Sequence, residues 1–248
     1  MSDKPVCIIA NARDYVGPAL AVVMAESGYD LVLGDPVPET VAAVTELGAD
    51  SWVVDNVRDL AEPSAAPRLV DMAMDAYGRI DSIAFFSGTI VTGPILDATD
   101  EDFSTLVAGN LESVFRALRA VLPHMVEAGS GQVLAITSAS GIRPTPIAPL
   151  YSATRAGANM MVKNAAAEVA SHGVQVNAVG TNWMDFDEFR RVSGADDPAV
   201  RAHIENLVPM KRLGTMEEFA QFCRVFLDGT AGFHTGQVVG FDGGWSAE

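Results

Sequence analysis

Short apolar runs alternate with longer amphipathic stretches along the whole chain. A short run of almost continuous apolar residues, bounded by turn residues, is typical of a strand that is buried on both faces. The runs predict strands at residues 6–10, 31–33, 52–54, 83–86, 132–137, 174–179 and 237–241.

The stretches between these strands have apolar residues at helical spacing. They predict helices at residues 18–27, 39–47, 66–77, 101–128, 151–171 and 216–227. Strands that alternate with helices indicate a doubly wound α/β fold, a parallel sheet of about seven strands with helices on both faces. No Pro/Gly-rich linker, composition change or internal repeat divides the chain, so we predict a single domain over residues 1–248.

Length and apolar runs limit where the protein can act. A chain of 248 residues is long enough for one large core. Its longest apolar runs, such as residues 19–25, fall far short of the ~20 residues that a membrane helix needs. The N-terminal residues lack the charged-then-apolar pattern of a secretory signal. We therefore expect a cytoplasmic protein with no membrane partner.

The net charge of −16 argues against nucleic acid as a partner, because phosphates are bound by clustered Lys and Arg. An acidic surface favours solubility. Cys7 and Cys223 lie in apolar contexts, which favours buried thiols over a disulfide. The four histidines show no metal-ligand spacing, and we expect no metal site.

A serine, a tyrosine and an arginine carry the candidate chemistry. Ser138 ends a predicted strand, Tyr151 begins the next long helix, and Arg155 lies one turn further along that helix. Residues i and i+4 share a helix face, so the guanidinium can lie beside the phenol and favour its ionised form. We expect Tyr151 to exchange a proton and Ser138 to hold a substrate oxygen. On the spacing alone, a surface tyrosine and arginine near a turn serine are an open alternative.

The spacing of Ser138, Tyr151 and Arg155 resembles the Ser-x12-Tyr-x3-Lys signature of the short-chain dehydrogenases/reductases. Further similarity extends over nearly the whole chain, at residues 78–81, Asn110, 176–179, 212–214, 235–237 and 242–244. The resemblance implies a Rossmann-like fold with its ligand site at the carboxyl ends of the strands.

The chain departs from that family where the family binds its nicotinamide cofactor. The family's first turn reads T-G-x-x-x-G-x-G, and its glycines let the backbone approach a pyrophosphate. Within residues 10–17 Gly17 matches, whereas Asn11 and Tyr15 replace the other glycines and Asp14 adds a negative charge. Residues 85–88 read Phe-Phe-Ser-Gly where the family has N-N-A-G, and Arg155 stands where the family has lysine.

These departures are similar to those of the halohydrin dehalogenases, which carry a Ser–Tyr–Arg triad on this fold and a halide pocket in place of nicotinamide. By this resemblance Ser138, Tyr151 and Arg155 are catalytic. The residues implied to bind the halide or another nucleophile are Tyr15, Thr181, Asn182, Trp183 and Met184. The residues expected to line the substrate pocket are Phe85, Phe86, Ile142 and Phe186. The dehalogenases commonly have proline where this chain has Thr181, which puts halide affinity in doubt.

The resemblance implies a reaction without a cofactor. Tyr151 would take the proton of a vicinal halohydrin, and the alkoxide would displace halide to close an epoxide. Azide, cyanide or nitrite would open epoxides in the reverse direction. The implied partners are therefore a halohydrin or epoxide and a small anion, and the resemblance also implies a homotetramer.

Two other functions stay open. A nicotinamide-dependent oxidoreductase with a divergent cofactor loop is favoured by Asp35, which ends a predicted strand where dehydrogenases hold a ribose hydroxyl. A relative that only binds or assembles is the other. Asn110 is a candidate for a helix kink or a water ligand. The acidic stretch 185–197 is expected to be a solvated loop or a lid.

Overall fold

A computed structural model describes residues 3–86, 88–145 and 147–247, and its centre is a seven-stranded parallel sheet. Its strands are β1 (Val6–Ile9), β2 (Asp30–Gly34), β3 (Ser51–Val54), β4 (Ser82–Phe85), β5 (Gly131–Ser138), β6 (Val174–Thr181) and β9 (Val238–Phe241); β7 (Met184–Asp185) and β8 (Gly214–Thr215) form a separate two-stranded sheet. The order along the large sheet is β3-β2-β1-β4-β5-β6-β9. Each of the seven predicted strands is confirmed, and so is the Rossmann-like α/β fold. The order reverses between β1 and β4, and this switch point is where doubly wound sheets bind ligands.

Helices cover both faces of this sheet. Their bounds are α1 (Gly17–Glu26), α2 (Pro38–Glu46), α3 (Ala65–Tyr77), α4 (Asp100–Val107), α5 (Ser113–Ala128), α6 (Pro149–Val169), α7 (Asp187–Ser193), α8 (Pro198–Asn206) and α9 (Met216–Arg224). Side chains alternate between the faces of a strand, so neighbouring residues of β1 enter different cores. Ile8 packs with residues of α3, α5 and α6, whereas Ile9 packs with residues of α1, α2 and α9. Both isoleucines are almost fully buried, as expected for strands covered on two sides.

The helix predicted at 101–128 is interrupted. Residues Ala108–Glu112 form a π-helical turn between α4 and α5, and Asn110 lies in this turn. The Asn110 side chain is buried and its Nδ2 donates to the Thr89 carbonyl oxygen at 3.0 Å. This turn therefore ties the helix to the loop that follows β4. Helical periodicity does not predict it, because the apolar pattern continues across the interruption.

The segment 185–197 is more ordered than the sequence indicates. It begins in β7 (Met184–Asp185), which pairs in parallel with β8 (Gly214–Thr215), and continues into α7. The Asp185 carboxylate accepts hydrogen bonds from Arg190 and Arg201, each at 2.6 Å. The bond from Arg201, and then that from Arg190, holds the pKa of Asp185 below its usual range. The Asp185 carboxylate thus links α7 and α8 to the two-stranded sheet of β7 and β8.

Gly17 lets α1 approach the loop that follows β1. A Cβ at Gly17 would lie 1.9 Å from the Asn11 carbonyl oxygen. Because no larger residue fits there, the start of α1 is held against the loop of residues 11–15.

Within the described residues, no helix is long and apolar enough to cross a membrane.

Replacing Gly17 tests this close packing. We expect Gly17→Ala to lower the free energy of unfolding by about 1–3 kcal/mol, the usual cost of overpacking a well-packed site. Thermal or urea unfolding measures the change. Gly232→Ala is the matched control, because an exposed Cβ at Gly232 meets nothing closer than 3.4 Å. Equal stability of the two variants would contradict the assigned role of Gly17.

Acid should loosen α7 and α8. A carboxyl whose folded pKa is depressed stabilises the fold fully above its unfolded pKa, about 3.9 for Asp, and this stabilisation is lost as pH falls through the lower folded value. We expect hydrogen exchange of α7 and α8 to accelerate in that acidic window, ahead of the seven-stranded sheet. In Asp185→Asn the exchange should already be fast at pH 7. Exchange in Asp185→Asn that still shows the wild-type acid dependence would contradict this account.

Candidate functional site

Ser138 lies at the carboxyl end of β5, directly beside the end of β6. It pairs with Thr181 across the two parallel strands. The Ser138 Oγ accepts a hydrogen bond from the Ser140 N–H at 3.1 Å and donates to the Thr181 carbonyl oxygen at 3.4 Å. The donated bond is long, so a substrate oxygen can accept this proton instead. Strand β5 therefore ends in a buried hydroxyl that can turn toward a ligand.

Tyr151 and Arg155 lie one turn apart near the beginning of α6. Pro149 begins this helix, in the first turn that proline favours. The guanidinium carbon of Arg155 is 5.1 Å from the centre of the Tyr151 ring, within the range of a cation–π contact. Arg155 is buried, and its Nε and Nη1 atoms have no hydrogen-bond partner among the residues that the structure describes. Since arginine stays protonated in proteins, the phenol has a fixed positive charge beside it.

Gly88 allows the loop after β4 to approach this charge. Its φ is +133°, and a Cβ there would lie 2.1 Å from the Asn110 Oδ1 and 2.6 Å from the Arg155 Nη2. A glycine at this position therefore brings the π-helical turn, the loop after β4 and the guanidinium together. The neighbouring Ser87 lies outside the described residues.

Ser138, Tyr151 and Arg155 line one cavity of about 400 Å³. Its lining also includes Tyr15, Thr181, Asn182 and Trp183, all predicted as site residues from the sequence. The walls are mainly apolar, with Phe86, Ile90, Ile147, Phe186, Phe189 and Trp245 among them. The structure thus brings a phenol, a hydroxyl and a guanidinium together in the lining of a mainly apolar cavity.

The Tyr15 ring bridges the two sides of the site. Its hydroxyl donates to the Thr181 Oγ1 at 2.7 Å. The ring makes edge contacts with Phe186 and Phe86, at centroid distances of 5.0 and 5.7 Å. Burial raises the pKa of the Tyr15 hydroxyl far above its usual value, so the group stays a neutral donor. Tyr15 has a φ of +55°, a conformation that glycine adopts without strain.

Three predicted site residues do not line the cavity. Phe85 is 1% exposed and packs in the core on the α3, α5 and α6 side of the sheet. Ile142 follows a short 3-10 turn, is 41% exposed and is not part of the cavity lining. Met184 is buried in β7, where its sulfur packs against Gly214. The sequence did not indicate that these residues lie outside the cavity lining, because a position next to a strand end does not fix the direction of the side chain.

A larger and more open cleft of about 800 Å³ adjoins the cavity. The two share Tyr15, Phe86, Gly88 and Phe186 in their linings. The cleft extends from the loop after β1, at the switch point of the sheet, past Arg58 to residues 185–190 and 215–217.

The loop after β1 is held by polar contacts that the sequence did not reveal. The Asn11 Oδ1 accepts hydrogen bonds from the Arg13 and Asp14 N–H groups, and the Asp14 carboxylate pairs with Arg58 at 2.7 Å. Arg58 follows β3 in a polar turn without a motif, which is why sequence reasoning missed it.

Among the described residues, no group of three or more His, Cys, Asp or Glu lies together to hold a metal ion.

Comparison with known sequences identifies relatives along almost the whole chain. A model of the enoyl-(acyl carrier protein) reductase family matches residues 11–246. Levodione reductase of Leifsonia aquatica is 31% identical over 254 residues, covering 98% of this chain and 94% of its own length. A 3-oxoacyl-(acyl-carrier-protein) reductase of Thermotoga maritima is 27% identical and covers 96% of both chains.

Solved structures agree with the sequence comparison. The crystal structure of levodione reductase superposes with a TM-score of 0.88, is 27% identical, and covers 100% of this chain and 99% of its own. A gluconate 5-dehydrogenase from Burkholderia cenocepacia, in complex with NADP and tartrate, superposes with a TM-score of 0.85 at 26% identity, covering 100% of this chain and 97% of its own.

These findings overturn the expected halohydrin dehalogenase activity. The named relatives are reductases and dehydrogenases, and the matching family model is that of a reductase. The expected lyase reaction was therefore wrong, and the halide role expected for Tyr15, Thr181, Asn182, Trp183 and Met184 loses the reaction on which it rested. The loop substitutions that suggested them are divergence within a family of oxidoreductases.

The fold, the arrangement of Ser138 and Tyr151, and a family match over residues 11–246 lead to one assignment. The chain belongs to the enoyl-(acyl carrier protein) reductase family of the short-chain dehydrogenase/reductase superfamily.

Proposed function

We propose that this chain is an NAD(P)-dependent oxidoreductase that interconverts a ketone and a secondary alcohol. The observation that carries the proposal is the convergence of Ser138, Tyr151 and Arg155 in one cavity beside the switch-point cleft. Relatives named as levodione, 3-oxoacyl and gluconate enzymes support a carbonyl or hydroxyl substrate. A bound nicotinamide dinucleotide would supply or accept the hydride.

The protein groups handle the substrate oxygen and its proton. In the reducing direction, the Ser138 and Tyr151 hydroxyls donate hydrogen bonds to the carbonyl oxygen, and Tyr151 gives its proton to the alcohol that forms. The Arg155 guanidinium stabilises the negative charge left on the Tyr151 oxygen. In the oxidising direction the Tyr151 oxygen takes the hydroxyl proton back. Apolar walls exclude water, which strengthens these polar interactions.

The outer part of the cleft fits the phosphate-bearing half of a dinucleotide. Its volume of about 800 Å³ lies at the switch point, where doubly wound sheets bind such ligands. Arg13 and Arg58 lie in its lining and offer guanidinium groups to phosphates. Asp14 neutralises part of this charge through its ion pair with Arg58.

The inner part of the cleft, where it meets the cavity that contains Tyr151, does not fit a nicotinamide ring while the Tyr15 side chain holds its observed position. The Tyr15 ring lies between Phe86 and Phe186 and is hydrogen-bonded to Thr181. Tyr15, Phe86 and Phe186 line both the cleft and the cavity that contains Tyr151, so the Tyr15 ring lies at the junction of the two. The proposed function therefore requires the Tyr15 side chain to leave Thr181 when the cofactor binds.

Of the two dinucleotides, the residues favour NADP(H). The two Asp35 carboxylate oxygens accept hydrogen bonds from the Asn56 and Val57 N–H groups, both at 2.7 Å. This carboxylate secures the turn after β3 and is less available to the ribose hydroxyls that an acidic residue holds in NAD enzymes. In NADP enzymes of this fold, an arginine near the acidic position accommodates the 2′-phosphate. Arg13 and Arg58 line the cleft in which we propose that the dinucleotide binds.

Turnover of ketones tests the role of Tyr151. The panel contains a cyclic diketone, a 3-oxoester and a hydroxyketone, and absorbance at 340 nm follows oxidation of NADPH. Tyr151→Phe removes the proton that is transferred, so we expect kcat to fall by about 10²–10⁴-fold, the usual contribution of general acid–base catalysis. Ser138→Ala should lower kcat less, because it removes one hydrogen bond to the oxygen.

Tyr77→Phe is the matched control, since the Tyr77 hydroxyl contacts the Leu31 carbonyl oxygen at 3.5 Å in the sheet core, away from the cavity. It should keep wild-type turnover. Full activity of Tyr151→Phe, or no NADPH oxidation by the wild type with any ketone, would argue against the proposed function.

Binding of NADPH tests the position of Tyr15. Tyr15→Gly removes the ring and suits the left-handed backbone, so we expect NADPH to bind at least tenfold more tightly, because the ring no longer has to be displaced. Tyr15→Phe loses the hydrogen bond but keeps the ring, and should fall between the two. Titration calorimetry gives the three dissociation constants.

A wild type that binds NADPH as tightly as Tyr15→Gly would show that the ring does not compete with the cofactor. If neither protein binds NADPH or NADH, the dinucleotide itself is excluded.

A further inference from the structure

The C-terminal residues return to the cavity after β9. The Asp242 carboxylate accepts hydrogen bonds from the Gly244 and Ser246 N–H groups, both at 3.0 Å. This turn reverses the chain and brings Trp245 over the carboxyl end of the sheet. Trp245 lines the same cavity as Ser138 and Tyr151.

Arg143 holds Trp245 by two contacts. Its Nη1 donates a hydrogen bond to the Trp245 carbonyl oxygen at 2.6 Å. Its guanidinium carbon lies 4.3 Å from the centre of the Trp245 rings, a close cation–π contact. The backbone and the indole of one residue are therefore fixed by the same side chain.

Arg143 belongs to the segment that carries Ser138. The short 3-10 turn Ala139–Gly141 follows Ser138, and Arg143 comes two residues later, with its N–H bonded to the Ala139 carbonyl oxygen at 3.2 Å. Arg143 is absent from the cavity lining, whereas Trp245 is part of it. Arg143 therefore contacts the cavity wall through Trp245, and its position is tied to that of Ser138.

We propose that Trp245 is a specificity-determining wall of the cavity and that Arg143 is its positioning residue. This inference rests on the proposed function. The substrates selected are ketones or secondary alcohols whose reacting carbon carries a flat or cyclic apolar group. In a cavity of about 400 Å³, the indole gives such a group a large rigid surface to pack against.

The ratio of kcat/KM for acetophenone to that for 2-butanone, measured with NADPH, tests the proposal. Trp245→Ala should lower this ratio at least tenfold, and Arg143→Ala should lower it in the same direction. The double variant should lose no more than Trp245→Ala, because both act through one side chain. Arg143→Lys keeps a cation and a donor and should recover most of the ratio. Arg119→Ala, which removes a cation–π contact to Phe115 at 5.9 Å, is the control that should leave it unchanged.

A second measurement does not depend on turnover. The chain has three tryptophans, so a Trp52→Phe/Trp183→Phe protein reports the fluorescence of Trp245. Adding Arg143→Ala to it should raise acrylamide quenching about threefold, and adding Arg119→Ala should not.

Unchanged quenching in Arg143→Ala would overturn the positioning role, and an unchanged substrate ratio in Trp245→Ala would overturn the specificity role. Absence of turnover by the wild type would instead overturn the proposed function, and the quenching would still decide whether Arg143 holds Trp245.

Discussion

The pairing of β5 with β6 places the groups on which the site depends. These strands run in parallel register over eight residues, so that Ser138 and Thr181 end side by side. Ser138 supplies the hydroxyl that we propose binds a substrate oxygen, and Thr181 accepts the hydrogen bond of Tyr15. Because both strands are buried along their length, their ends are held rigidly. The helix that follows β5 then brings Tyr151 and Arg155 to the same edge.

In the proposed reaction, the positive charge of Arg155 supports proton exchange by Tyr151 in an apolar cavity. Removing a charged group from water is costly unless other groups compensate. The Arg155 guanidinium carbon lies 5.1 Å from the centre of the Tyr151 ring, so the charge is next to the phenol that takes part in the proposed reaction. Gly88 leaves room for the guanidinium between α6 and the loop after β4. The loop after β4 can thus approach the Arg155 guanidinium only because Gly88 has no side chain.

Much of this architecture follows from the sequence. Buried parallel strands have a nearly continuous apolar pattern. For this reason each of the seven predicted strands corresponds to a strand of the large sheet in the structure. Ser138, Tyr151 and Arg155 were also found, because strand end and helix spacing fix their relation. The π-helical turn at Asn110 was not predicted, since a single wide turn is too short to stand out in the apolar pattern of a long helical stretch.

Other features depend on contacts between distant residues. Arg143 and Trp245 are 102 positions apart in the sequence. Asp185 links α7 and α8 through Arg190 and Arg201, and the polar, acidic composition of this segment did not predict either helix. Side-chain direction was a further limit, as Phe85 and Met184 show by packing into the protein and not the cavity. Function was the hardest inference. Substitutions in the loop after β1 suggested a change of chemistry, whereas relatives along the whole chain are reductases and dehydrogenases.

Transfer of deuterium from the cofactor to the substrate tests the central claim most directly. The protein is incubated with NADPH that carries deuterium at both C4 positions of the nicotinamide and with a ketone that it consumes, and the alcohol product is examined by mass spectrometry. The account predicts one deuterium on the carbinol carbon of the product, and far less of this deuterated alcohol when Tyr151→Phe replaces the wild type. An alcohol without deuterium, or no alcohol from any ketone in the panel, would contradict it.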